Sequence, residues 1–230
     1  MLGKCAYLLG YYVKLEDTLQ KIVYPYLVKL KNEFEETATM YIREGPIRRL
    51  YAKVEPEKNF RVVPSVGAEY YMWAGAGAKS FLAFMSGPEQ DKLISEAERL
   101  IPKTILDRKT LDEAIMLVRK RGYALSLDEY SEGFSSIAGP VVNDRDEALC
   151  TIAVTGPSTR FSEDKLSEIG ERIKEYCVEL SRLFGWPGPF DGEKWVFPFL
   201  FSKKPQKCLR YRPTIINGFC KRHRGDINKG

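Results

Sequence analysis

Histidine is almost missing from this chain of 230 residues: His223 is the single copy, and it lies among the last ten residues. Histidine triads, histidine-rich metal sites and histidine acid–base chemistry are therefore not expected in the main body. Cysteine is also sparse. The five copies, at 5, 150, 177, 208 and 220, form no CxxC pair and no metal-ligand spacing. Two of them sit inside apolar patterns, where a free thiol behaves as a small hydrophobe. That usage fits a reducing, cytoplasmic setting. No apolar run approaches the roughly 18–20 residues of a membrane helix. The opening stretch CAYLLGYYVKL is short and lacks a small-residue cleavage pattern, so it reads as mature sequence.

What is present is ordinary for a globular chain: 44% hydrophobic and 29% charged residues. Charge is unevenly spread. Residues 186–230 hold ten Lys/Arg against three acids, or +7, and since the whole chain is +5 the rest carries −2. A mildly acidic body thus bears a basic tail, and Trp195, Phe197, Phe199, Phe201, Tyr211 and Phe219 are interleaved with its cations. Such a tail can bind single-stranded nucleic acid or an acidic partner. Equally, its WVFPFLF run can dock on the body or on a second subunit.

Leu15, Leu19, Ile22, Val23, Leu27, Leu30 and Phe34 recur at helical spacing, with Pro25 expected to kink or divide that helix. ETATMYI (36–42) and RRLYAKVE (48–55) alternate as strands around a Gly-Pro turn, and FRVVPSV (60–66) reads as an edge strand. GAGAKSFLAFM (75–85) is a glycine-rich lead-in to a short helix, and a second helix starts near Ser86 and Pro88. Residues 107–122 form a third, with Leu111, Ile115, Leu117 and Val118 inward and Gly122 as its stop. A last helix starts at Ser162 and turns Leu166, Ile169, Ile173, Tyr176, Leu180 and Leu183 to one side. Hairpins with helices between and after them predict an α+β fold with an antiparallel sheet.

Two strands before the last helix carry an odd row. In ALCTIAVT, Cys150, Ile152 and Val154 share one face and Thr151, Ala153 and Thr155 the other. In FSSIAGPVV, Ile137 and Val141 oppose Phe134, Ser136, Ala138 and Pro140. One face of the sheet is therefore lined by Ser136, Ala138, Thr151, Ala153 and Thr155. Small side chains leave volume that close-packed interiors do not tolerate. Either a helix packs very close or a ligand fills the space. A hydroxyl buried there without a partner would cost about 1–3 kcal/mol.

The stretch RGYALSLDEYSEGFSSIAGPVVNDRDEALCTIAVTGPSTRFSEDKL resembles the effector-binding domain of the IclR family of bacterial and archaeal transcriptional regulators. So do VGAEYYMWAGAGAKSFLAFM, beside the family's G-x-x-x-P-L-H-A-x-x-x-G-K-A-x-L-A, and the N-terminal YLLGYYVKLEDTLQKIVYPYLVKLKNEFEETATMYIREG. Together they cover about residues 7–185. The resemblance implies a GAF-like α+β domain at 36–185, with a central antiparallel sheet flanked by helices. A linker and first helix precede it at 1–35, and a C-terminal extension follows at 186–230. It also implies a homodimer or tetramer and a small organic effector. Departures from the family pattern at Ser126, Ser136 and Ala153 remove an acidic or thiol ligand set, so no metal is expected, and neither a cofactor nor a membrane partner is expected. The family pocket falls on Ser126, Phe134, Ser136, Ala153 and Thr155, with backbone donors from Gly75, Ala76, Gly77 and Ala78. The family's P-L-H is Tyr71-Met72-Trp73 here, which makes Tyr71 and Trp73 expected apolar walls and favours an organic acid or its aromatic or acyl derivative. Family members begin with a winged helix-turn-helix, and this chain is expected to lack one and to act as a ligand sensor or co-regulator, in company with a DNA-binding partner protein.

An enzyme reusing the pocket is the alternative, with Ser136, Tyr71 and Lys79 as the candidate residues. No nucleophile–base pair supports it, and no catalytic residue is assigned. AGAGAK is neither a P-loop nor a dinucleotide fingerprint. Ser162-x-x-Lys165 reads as a helix cap rather than a nucleophile pair, and Asp128 and Glu129 as solvated loop charges.

Overall fold

An apolar residue at every third or fourth position turns the start of the chain into one long helix, α1 (Gly3–Phe34). The computed structural model describes residues 3–59 and 61–188, with side chains from residue 18 onward, so the readings of His223, Cys208, Cys220 and the tail beyond 188 fall outside the described residues. The expected division at Pro25 does not occur, for the helix runs through it. Val23, Leu27, Leu30 and Phe34 are buried on its inner side. At about 1.5–3 kcal/mol each, their burial outweighs the roughly 3 kcal/mol a helical proline costs.

The hairpin follows as expected, β1 (Thr37–Glu44) and β2 (Ile47–Val54). Residues 61–65 form no strand. Pro64 cannot extend a ladder, and the Val62 carbonyl accepts from the Thr37 hydroxyl at 2.7 Å. The edge strand is instead β3 (Glu69–Tyr71), paired with β2. Then come α2 (Ala76–Leu82), α3 (Gly87–Ser95), α4 (Arg108–Arg121), β4 (Ala124–Leu127), β5 (Phe134–Val142), β6 (Ala148–Pro157) and α5 (Glu163–Leu183). The six strands make one antiparallel sheet in the order β3-β2-β1-β6-β5-β4. On one face α1 and α5 bury Met40, Ile137, Val141, Cys150, Ile152 and Val154. On the other, α2 and α4 bury Leu50, Phe81, Leu82, Leu111, Ile115 and Val118.

Leu117 is 49% exposed, not inward. It stands about 100° round α4 from Val118, outside the stripe that Leu111, Ile115 and Val118 make. Leu183, in the last turn of α5, is likewise 63% exposed, while Cys177 is buried in the same stripe as Ile173 and Leu180. No helix among the described residues is long and apolar enough to cross a membrane.

The helix ends carry the expected caps. Ser162 Oγ accepts from the Lys165 amide at 3.3 Å, so the Ser-x-x-Lys pair is a cap. Gly122, at φ 90°, ends α4 in the left-handed conformation that other residues avoid. At the other end of α4, Asp107 accepts from the Thr110 amide at 2.8 Å and the Thr110 hydroxyl at 2.7 Å. These bonds hold its carboxyl below the ordinary value of 3.8. Their stabilisation is complete above that value and is lost as the pH falls through the lower folded one. Asp107→Ala is expected to lower the urea midpoint at neutral pH and to have no effect once both proteins are unfolded from a fully protonated state. Chemical denaturation at several pH values checks this.

Candidate functional site

Strand register turns the row of small side chains into two different surfaces. Ser126 pairs with Ser136, Ser136 with Thr155 and Thr155 with Thr37, so a line of hydroxyl-bearing residues crosses four strands. The adjacent line is Ala124, Ala138, Ala153 and Thr39. Over this second line lies α2, close enough for the Ser80 hydroxyl to reach the Ala138 carbonyl at 3.0 Å. Beside the first line lies a cavity of about 240 Å³, lined by Ser126, Ser136 and Thr155 with Phe134, Tyr130, Tyr41, Tyr70 and Arg48 among others. Close helix packing and open volume are thus both present, one row apart. No hydrogen bond within the described residues engages the hydroxyls of Ser126, Ser136 or Thr155.

The opposite wall depends on a defect in the hairpin. Met40 pairs with Ala52 but Tyr41 pairs with Leu50, which leaves Tyr51 as an extra residue in β2. A bulge of this kind reverses the facing of all that precedes it in the strand. Ala52 accordingly packs with α1 and α5, while Leu50 packs on the α2 side. Arg48 follows Leu50 and enters the cavity wall. Its guanidinium lies 5.3–5.5 Å from the ring centres of Tyr41, Tyr70 and Tyr130. Nη1 donates to the carbonyls of Tyr71 and, at 3.0 Å, Ala74. Burial draws its pKa below the ordinary arginine value, and the three tyrosines act against that shift. Burial also raises Tyr41 and Tyr130, and pushes Tyr70 up to about 12. The cage is therefore neutral phenol around a cation at any physiological pH.

The loop over the cavity, residues 128–133, is tied down from outside. Lys79 of α2, itself buried, holds both carboxylate oxygens of Glu129 at 2.7 and 2.6 Å. Burial lowers the Lys79 pKa and the Glu129 carboxylate opposes that shift. Asp128, at φ 54°, accepts from Ser158 at 2.6 Å and from Lys103 at 3.1 Å. Asp128 and Glu129 are thus anchors rather than solvated charges. They fix Tyr130 and Ser131 against the cavity. Replacing Lys79 by Met is expected to free the loop, seen as faster amide exchange at 128–133 with the helices unchanged.

Of the residues singled out from sequence, Gly75, Ser126, Phe134, Ser136 and Thr155 come together around the cavity. Ala76, Gly77 and Ala78 are buried in α2 and do not line it, and Ala153 lies under α2. Tyr71 and Trp73 do not line it either. They stack on one another at 4.3 Å, Tyr71 largely exposed and Trp73 donating to the Glu98 carbonyl. The aromatic walls are Tyr41, Tyr70 and Tyr130 instead. Of the three candidate catalytic groups, only Ser136 faces the cavity, and no carboxylate or histidine lines it among the described residues.

Comparison with known proteins agrees with this architecture. Residues 13–182 match the family model described as bacterial transcriptional regulator IclR C-terminal. The chain is similar to the HTH-type transcriptional regulator KipR of Bacillus subtilis, 27% identical over 170 residues, covering 73% of this chain and 68% of that protein. It is similar to the HTH-type transcriptional repressor AllR of Escherichia coli K12 at 24% over 176 residues, 76% of this chain and 65% of that one. It therefore spans about two thirds of these curated relatives. The crystal structure of the Thermotoga maritima IclR superposes with a TM-score of 0.70 at 25% identity, covering 78% of this chain and 74% of that one.

Proposed function

The chain belongs to the IclR C-terminal family of bacterial transcriptional regulators, and on that basis we propose that it is a ligand-sensing domain whose cavity beside Ser126, Ser136 and Thr155 binds a small organic effector. The observation that carries this reading is the row of hydroxyls left without protein partners along an open cavity. Open to the cavity, the hydroxyls of Ser126, Ser136 and Thr155 can each hydrogen-bond an occupant, and such a bond contributes about 0.5–1.5 kcal/mol, more where the occupant is charged. A polar molecule in the cavity satisfies them. The volume suits a molecule at the small end of ordinary ligands. The body of that molecule, an organic acid or its aromatic or acyl derivative, rests on Phe134 and the tyrosines. The protein works in the cytoplasm as a homodimer or tetramer, and transmits occupancy to a DNA-binding element.

Thermal unfolding against a panel of organic acids tests this. At least one is expected to raise the midpoint, since a ligand of the native state stabilises it by mass action. Ser136→Leu and Thr155→Leu fill the cavity and are expected to abolish the response. If both variants keep the full shift, the effector sits elsewhere.

A further inference from the structure

Arg48 is the one feature of the cavity that hydroxyls and volume do not account for. It is 5% exposed, yet among the described residues no carboxylate pairs with it. Its bonds are the two backbone carbonyls on Nη1, and its other close neighbours are uncharged tyrosine faces. Nε is buried and makes no hydrogen bond. Neither does Nη2. Beside them Thr151, fully buried, has an unpaired hydroxyl. A Cβ on Gly77 would lie 3.2 Å from Arg48 Nε and 3.5 Å from Thr151 Oγ1, so both atoms face the same small space under the start of α2. A buried cation lacking a counter-charge is unfavourable, and aromatic faces compensate only in part. Gly77 closes off Nε, whereas Nη2 lies beside Gly75 of the cavity wall and is the donor left to meet a ligand; a charge-assisted bond from it to a carboxylate oxygen is roughly twice as strong as a neutral one.

We propose that Arg48 is the anion anchor of the cavity. Resting on the effector reading above, the ligand is a small monocarboxylate with one oxygen on Nη2, the guanidinium nitrogen beside Gly75 of the cavity wall, and its body extending along Ser126, Ser136 and Thr155. A single negative charge is specified because no second cationic side chain lines the cavity among the described residues. The tyrosine cage keeps the guanidinium in place before the ligand arrives, and Arg48 sets the preference for acids over neutral analogues of the same shape.

Matched probes test the anchor at equal ionic strength: acetate with acetamide, benzoate with benzamide, phenylacetate with phenylacetamide. Midpoint shifts are read on the whole chain, together with the Arg48 Nε–H resonance. At least one carboxylate is expected to raise the midpoint and move that resonance. Its amide should bind at least about tenfold more weakly, and Arg48→Gln should erase the difference. Should Arg48→Gln fail to fold, the wild-type resonance decides. The inference falls if no carboxylate shifts either signal at millimolar concentration, or if amide and acid bind alike. An amide response that Ser136→Leu abolishes leaves the effector cavity standing and removes Arg48 from it. A moving Arg48 resonance that ignores Ser136→Leu and Thr155→Leu keeps the anchor and removes the effector reading.

Discussion

Arg160→Met is expected to lower the stability of the domain by about 3 kcal/mol. Glu36 precedes β1 and is 0% exposed. Arg160, in the turn after β6, grips it two-pronged, Nε to Oε1 at 2.5 Å and Nη2 to Oε2 at 2.8 Å. Arg160 is partly exposed, so its own desolvation is modest. Removing it strands a carboxylate in the interior, and that stranded charge sets the size of the loss. The reciprocal change is milder. Glu36→Gln keeps the shape and returns a partly hydrated guanidinium to water, for about 1 kcal/mol. Gly156 supports the same arrangement, since a Cβ there would lie 2.5 Å from Glu36 Oε2. Urea unfolding of the two variants measures the asymmetry. Equal losses from both would show that the stranded charge does not dominate.

Gly170→Ala should destabilise by about 2 kcal/mol although alanine is the better helix former. The added methyl would lie 2.3 Å from Tyr123 Cε2 and 2.4 Å from Cζ, inside a buried ring between α5 and the start of β4. Alanine gains about 1 kcal/mol in helix propensity, and overpacking of a rigid ring costs about 1–3 kcal/mol or more. Here the contact is at the severe end, so the clash wins. A double-mutant cycle with Tyr123→Leu isolates it: the leucine frees the space, and Gly170→Ala should then become neutral or stabilising. If its cost is the same in both backgrounds, the ring is not the cause.

Local signals explain what could be read from the sequence. The cap at Ser162, the stop at Gly122 and the period-two alternation of β5 and β6 are all written in neighbouring residues. Ser136 and Thr155 followed from that alternation, and Ser126, Phe134 and Gly75 from family resemblance. Arg48 was out of reach because its facing is set by the bulge at Tyr51, a property of the pairing of two strands and not of either one. With strict alternation it would share a face with Ala52, away from the cavity. The strand expected at 60–66 failed for a related reason. Its apolar residues serve as a cover, with Val62 and Pro64 lying over the cavity rather than in a ladder. Tyr71 and Trp73 satisfy each other by stacking, which no pattern of single residues announces.

The strand order also constrains how a newly made chain matures. β1 finds β2 across a tight turn, but its other neighbour, β6, lies far along the chain: Thr39 and Ala153, joined across that seam, are 114 positions apart. During synthesis the first hairpin must wait with a bare flank until β6 leaves the ribosome, and a bare flank invites misassociation. The hydroxyl row is completed by the same late arrival, because Thr155 comes from β6. A nascent chain therefore has no complete cavity wall until Thr155 has emerged, well after the first hairpin has formed.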